Sequence, residues 1–316
     1  MQPVFEPIDA ERPQFAARVT GVDLRAGVTP DQAGLIEQAI DRYGVLVFPG
    51  QDISDDQQYA FSEHFGAMEV ASGDIARPED RRLSFKVNDI SNLDRHGEVV
   101  ARDDRRRLFG LGNMLWHSDS SFKATPAKFS LLSARLIPTS GGNTEFADMR
   151  AAFDALAPTM QEECRGLITR HSQLYSRGSL GFEDFSEDEI RRWSPVRQQL
   201  VREHPRTGRE SLYLSSHIGT IEGWPTPEAR MFIRDLTEHA TAPRFVYAHS
   251  WRVHDLVMWD NRVTMHRARR YDHTQPRDMH RTTVACEEPT VAGQVEPDQR
   301  NEPERKAELQ RATANA

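Results

Sequence analysis

Two short segments far apart in this chain must meet if their side chains are to act together. The first is Trp116-His117-Ser118-Asp119; the second runs Trp259-Asp260-Asn261-Arg262-Val263-Thr264-Met265-His266. In an extended backbone side chains alternate faces, so His117 and Asp119 point one way and Ser118 the other. His266 lies far down the chain and belongs to another element, so only tertiary structure can bring it to the pair. Two imidazoles and a carboxylate in this arrangement hold non-haem Fe(II) on one octahedral face and leave the opposite positions open. A His-x-Asp tripeptide alone arises by chance, and most lone histidines are surface or hydrogen-bonded core residues.

Two arginines strengthen the metal reading. Arg277 and Arg281 lie four apart in Arg277-Asp278-Met279-His280-Arg281-Thr282-Thr283-Val284-Ala285, whose β-branched run predicts a strand with both guanidinium groups on one face. A guanidinium is rarely buried unpaired, and its planar fork fits a carboxylate. A dicarboxylate co-substrate and an anionic substrate would satisfy the pair; the plainer alternative is a pair of rim residues neutralised by nearby acids. That alternative suits Arg267, Arg269 and Arg270, which sit in a polar run.

No linker interrupts the chain, so residues 1–287 are expected to form one domain. With 38% hydrophobic residues and a formal charge of -8, a sizeable core is available and nothing draws the chain towards nucleic acid. Arg105-Arg106-Arg107 follows Asp103-Asp104 and reads as a mixed-sign face. The absence of a long apolar run and of a signal-like N-terminus predicts a cytoplasmic protein without membrane contact. Cys164 and Cys286 show no metal or redox spacing and are expected as reduced thiols.

Thr29-Pro30-Asp31-Gln32 and Ser54-Asp55-Asp56-Gln57 carry the reciprocal capping pattern of helix starts. The first predicted helix leads into the strand Val45-Leu46-Val47-Phe48, and the second runs towards Phe65. Further strands are expected over 128–137, 143–147, 211–214, 245–247 and 256–259, with a helix from Thr226 towards Ala240. Gly141-Gly142 signals a turn, and Trp259 reads as core. Residues of about 73–112 are polar and irregular, as in a functional loop, and read as a lid over a substrate pocket. Lys86 within it is either a contact for an anionic substrate or a solvated loop lysine. Residues 288–316 are polar and expected to be disordered. Many short strands with inserted helices predict a mainly β fold with flanking helices, a double-stranded β-helix of the jelly-roll or cupin kind.

Several stretches carry a family resemblance: 116–122, Gly141-Gly142-Asn143-Thr144-Glu145-Phe146-Ala147-Asp148-Met149-Arg150, Asp255 to Asn261, and His266-Arg267-Ala268-Arg269-Arg270-Tyr271-Asp272. The chain resembles the Fe(II)/2-oxoglutarate-dependent dioxygenases of the taurine dioxygenase superfamily to about Glu287, and within it the aryloxyacetate-degrading branch. The resemblance implies that His117, Asp119 and His266 hold iron, and that Thr144 and Arg277 hold the distal carboxylate of 2-oxoglutarate. It implies that Arg281 grips the substrate acid, although the two arginines could exchange roles, and makes Asn113 a further candidate substrate contact. Without it, Thr144 reads as an ordinary strand threonine.

The activity implied is hydroxylation, with O2 as the other co-substrate, of the carbon beside the ether oxygen of an aryloxyacetate or related aryloxyalkanoate. The products are a phenol, glyoxylate or another oxo acid, succinate and CO2. Asp119 favours hydroxylation, since related halogenases lack the carboxylate ligand. A sulfonate or alkylsulfate dioxygenase is the competing enzyme, because the same arginines would grip a sulfonate. A non-catalytic cupin-like binding module is the competing class. Relatives commonly self-associate, so a homo-oligomer is compatible. Ring substitution, side-chain length and enantiomer preference are set by pocket shape.

Overall fold

The computed structural model describes residues 2–71, 75 and 81–294. Its largest sheet has seven strands in the order Val4–Pro7, Ala17–Thr20, Val45–Phe48, Leu256–Asp260, Ala127–Leu136, Asp278–Ala285 and Asn88–Asp89. All neighbours are antiparallel except Ala17–Thr20 with Val45–Phe48. A three-stranded sheet, Val246–His249, Thr144–Asp148 and Thr264–Ala268, packs on it. A second three-stranded sheet (Ile218–Ile221, Ile168–His171, Val196–Gln199) and a two-stranded one (Glu210–Leu212, Val201–Glu203) complete the β structure. The molecule is thus mainly β with flanking helices.

Period-two alternation divides the core. Leu46, Phe48, Leu256, Met258, Phe129 and Leu131 face Ile36, Ile40, Phe61 and Phe65 of the helices Pro30–Tyr43 and Asp55–Glu63. Val45, Val47, Val257, Trp259, Leu132, Ala134 and Met279 turn the other way and pack on Phe146 of the smaller sheet. The central strands are therefore apolar on both faces, which explains their unbroken hydrophobic runs. Both helices begin with the reciprocal cap read from the sequence: Thr29 with Gln32, and Ser54 with Gln57. The second ends at Glu63, just short of Phe65. The Thr226–Ala240 helix and the strands expected near 128–137, 143–147 and 256–259 are also present, within a residue or two.

Three local expectations need correction. The lid segment is not structureless: Asn88–Asp89 adds an edge strand beside His280 and Arg281, and Arg105–Gly110 is a short helix capped by Asp104. Residues 72–74 and 76–80 of that region lie outside the described residues. The His117-Ser118-Asp119 stretch is not a strand but a single bridge, His117 to His266, running straight into a turn in which Ser120 has φ 52°. The beginning of the expected tail is docked: Thr290 hydrogen-bonds Gln198, and Gln294 donates to the Arg197 carbonyl at 2.9 Å. Residues 295–316 lie outside the described residues. Cys164 and Cys286 are unpaired. Among the described residues, no helix is long and apolar enough to cross a membrane.

Candidate active site

The bridge that replaces the expected strand fixes the triad. His117 and His266 exchange backbone hydrogen bonds of 3.0 and 2.8 Å, which sets their rings 4.2 Å apart between centroids. Asp119 completes the group: its Oδ1 lies 3.8 Å from His117 Nε2 and its Oδ2 lies 3.7 Å from His266 Nε2. Ser118 faces away, as alternation requires, and its hydroxyl contacts the carbonyls of Leu214 and Thr264.

The donor set suits a divalent cation. His117 Nδ1–H donates to the Leu115 carbonyl at 2.8 Å, leaving the Nε2 lone pair directed at the centre. Nδ1 of His266 is buried without a partner. Burial holds both imidazoles below their ordinary pKa, against the pull of Asp119, so both are neutral as ligation requires. Burial disfavours the Asp119 carboxylate, but the Arg281 charge, with the Ser130 hydrogen bond, outweighs it, and the group stays ionised far below its usual range. Ser130 donates to Asp119 Oδ2 at 2.7 Å, and Asn261 accepts from the Asp119 backbone N–H at 3.0 Å while donating to Ser130. This orienting chain was missed in the sequence, where only the Trp259-Asp260-Asn261 run hinted at it.

A second cluster, the histidine and two carboxylates of His204, Asp41 and Asp260, also converges, but it forms an ion network. Nδ1 of His204 accepts from the backbone N–H groups of Arg206 and Thr207, which puts the ring proton on Nε2, facing the carboxylates. Arg206 and Arg262 neutralise those acids at 2.8 and 2.7 Å.

Beside the triad lies a small recess lined by Thr144, Arg277, Arg281, Asn113, His117 and His266, among others. The Thr144 hydroxyl accepts from Trp251 Nε1 at 3.0 Å, which leaves its own proton available. Arg277 is buried, its Nη1 donates only to the Ile90 carbonyl at 3.1 Å, and no carboxylate pairs with it among the described residues. Gly141 has φ +75°, and a Cβ there would fall 2.5 Å from the Arg270 carbonyl oxygen, so the turn carrying Thr144 into the recess requires glycine.

The recess adjoins a cavity of about 580 Å³ whose wall includes Asn113, Phe122, Arg177 and His217. Two sequence expectations change here. Lys86 does not line the cavity: it pairs with Asp56 at 3.2 Å and stands over the Tyr59 ring, because both sit on the adjacent helix. Arg281 faces the site, and its Nη1 donates to Asp119 Oδ1 at 2.5 Å while its Nε is buried without a partner, so part of its fork is already held by a metal-ligand carboxylate. Arg177 and His217 escaped the sequence reading because no local pattern marks them. Both lie in the 173–221 stretch, far in sequence from the triad.

A family model, taurine catabolism dioxygenase TauD, TfdA family, matches residues 6–283. The chain belongs to that family. Over 275 residues the dioxygenase is 46% identical to the α-ketoglutarate-dependent 2,4-dichlorophenoxyacetate dioxygenase of Cupriavidus pinatubonensis, covering 86% of this chain and 95% of that one. It is 36% identical over 300 residues to the (S)-phenoxypropionate/α-ketoglutarate dioxygenase of Sphingobium herbicidovorans, covering 90% and 96%. A solved structure of AAD-2 in complex with Mn(II) and N-oxalylglycine superposes with a TM-score of 0.89 at 54% identity, covering 92% of this dioxygenase and all of that chain.

Proposed function

We propose that this dioxygenase uses Fe(II), 2-oxoglutarate and O2 to hydroxylate the carbon beside the ether oxygen of aryloxyalkanoates. The observation that carries the reading is the junction of the His117–Asp119–His266 triad with a recess containing Thr144 and the uncompensated Arg277. The relatives named above for 2,4-dichlorophenoxyacetate and phenoxypropionate support the substrate class. The match to AAD-2 with Mn(II) and N-oxalylglycine supports a metal and an oxo-dicarboxylate at this place. The reading takes residues 1–287 as one catalytic domain with a double-stranded β-helix core. First and last strands in one sheet support that assignment. A cytoplasmic enzyme fits the two free thiols.

His117, Asp119 and His266 would hold the metal, with Leu115, Ser130 and Asn261 fixing their orientation. Bound iron supplies O2 activation coupled to decarboxylation of 2-oxoglutarate to succinate. Arg277 would take the distal carboxylate of the co-substrate and Thr144 would donate to it. Arg281 holds Asp119 ionised and oriented, a positioning role. The cavity wall then sets which carbon faces the metal, and the hydroxylated product, a hemiacetal, collapses to a phenol and an oxo acid. The test is succinate and phenol release with phenoxyacetates, 2-phenoxypropionates and taurine. Phenol formed with the first two, and no succinate increase with taurine, is the expected result; the reverse pattern would assign a sulfonate dioxygenase.

A further inference from the structure

Two guanidinium groups on the cavity wall are buried without a carboxylate partner among the described residues: Arg277, assigned above to the co-substrate, and Arg177. Arg177 belongs to the Gln173–Gly178 helix and is 6% exposed. Its Nη1 donates to Ser176 Oγ at 3.0 Å, and its Nε is buried with no partner. The guanidinium lies 4.5 Å from the Phe109 ring centroid. Its opposite contact is Gly112, where a Cβ would stand 2.5 Å from Cζ, so only glycine admits the group there. These contacts hold the fork in place, but they do not neutralise it. Burial, aided by repulsion from Arg281, lowers its pKa to about 10, so it is charged at neutral pH.

A buried, charged and unpaired guanidinium is costly unless a ligand supplies the missing anion, and its fork matches a carboxylate. Arg177 lines the large cavity shared with His117 and Asp119 but is absent from the recess formed by Thr144 and Arg277. It thus lies outside the recess assigned to the co-substrate, on the wall of the adjoining cavity. Arg281, the anchor expected from sequence, already donates to Asp119. We infer that Arg177, rather than Arg281, holds the carboxylate of the organic-acid substrate. This rests on the aryloxyalkanoate reading and assigns the anchor within it.

The experiment compares phenoxyacetate with its neutral analogue phenoxyacetamide, using full-length enzyme with Fe(II) and 2-oxoglutarate under anaerobic conditions so that binding is read without turnover. Arg177→Gln is expected to weaken phenoxyacetate binding by roughly 30-fold or more, the loss for a buried charged pair. Phenoxyacetamide binding and the KM for 2-oxoglutarate in substrate-free decarboxylation stay unchanged. Equal loss for acid and amide, or unchanged acid binding, overturns the assignment. Should Arg177→Gln fail to fold, Arg177→Lys poses the same question: it must weaken the acid selectively, because a point charge replaces the fork. Wild-type enzyme that releases no phenol from phenoxyacetate overturns the substrate class. Wild-type release alongside normal phenoxyacetate binding by Arg177→Gln overturns the arginine assignment alone.

Discussion

At the scale of single residues the site divides by which polar groups are already satisfied. Arg281 pairs with Asp119, whereas Arg277 has a carbonyl but, among the described residues, no anion. Removing a buried charged partner of a carboxylate costs about 2–5 kcal/mol, and a neutral hydroxyl bond is worth nearer 1 kcal/mol. Arg277→Ala is therefore expected to raise the apparent KM for 2-oxoglutarate much more than Thr144→Ala. Initial-rate measurements over a 2-oxoglutarate series check this, and a larger defect in Thr144→Ala would contradict it. The convergence of the triad with Thr144 and Arg277 was legible in sequence because their motifs are local or carried by the family resemblance. Arg177 was not, because its significance lies in what surrounds it: a ring from Phe109, the bare backbone of Gly112 and, among the described residues, no paired acid. None of these neighbours can be inferred from the Gln173–Gly178 sequence.

Among the elements, the capped helices and apolar strands were legible because both signals are periodic and short-range. The 81–112 segment was not, because its order comes from partners distant in sequence. Arg82 pairs with Asp89 at 2.9 Å and also with Asp278, and His280 lies between Asp278 at 3.1 Å and Asp55 at 2.6 Å. This clasp ties the segment to the strand carrying Arg281 and to the Asp55–Glu63 helix, with Arg135 also on Asp55. Burial lowers the His280 pKa, but its bonds to Asp278 and Asp55 more than offset that and raise it above the ordinary 6.5. A raised folded-state pKa stabilises the fold fully below the unfolded value, and that contribution disappears as pH rises through the folded value. The midpoint of thermal unfolding is thus expected to fall as pH is raised above about 6.5, and His280→Gln should remove that part of the slope. Parallel melting curves across pH for wild type and variant would contradict the clasp.

For the whole molecule, a double-faced sheet carries the Arg277–Arg281 end of one strand to a bridge between segments that never pair as strands. The convergence of His117, Asp119 and His266 is thus a property of the complete sandwich, with Ser130 on one sheet and His266 on the other. The sequence motif picked out three residues that the fold brings together, but assigned the first two to a strand, because alternation alone does not distinguish an extended strand from one bridge entering a turn. Asp119→Ala probes the centre most directly: Fe(II) retained after anaerobic dialysis is measured alongside phenol and succinate formed from phenoxyacetate. Wild-type protein should retain iron and release phenol and succinate in equal amounts, and the variant should lose both the metal and coupled turnover. Iron retention and phenol release at wild-type levels in Asp119→Ala would contradict the assigned metal centre.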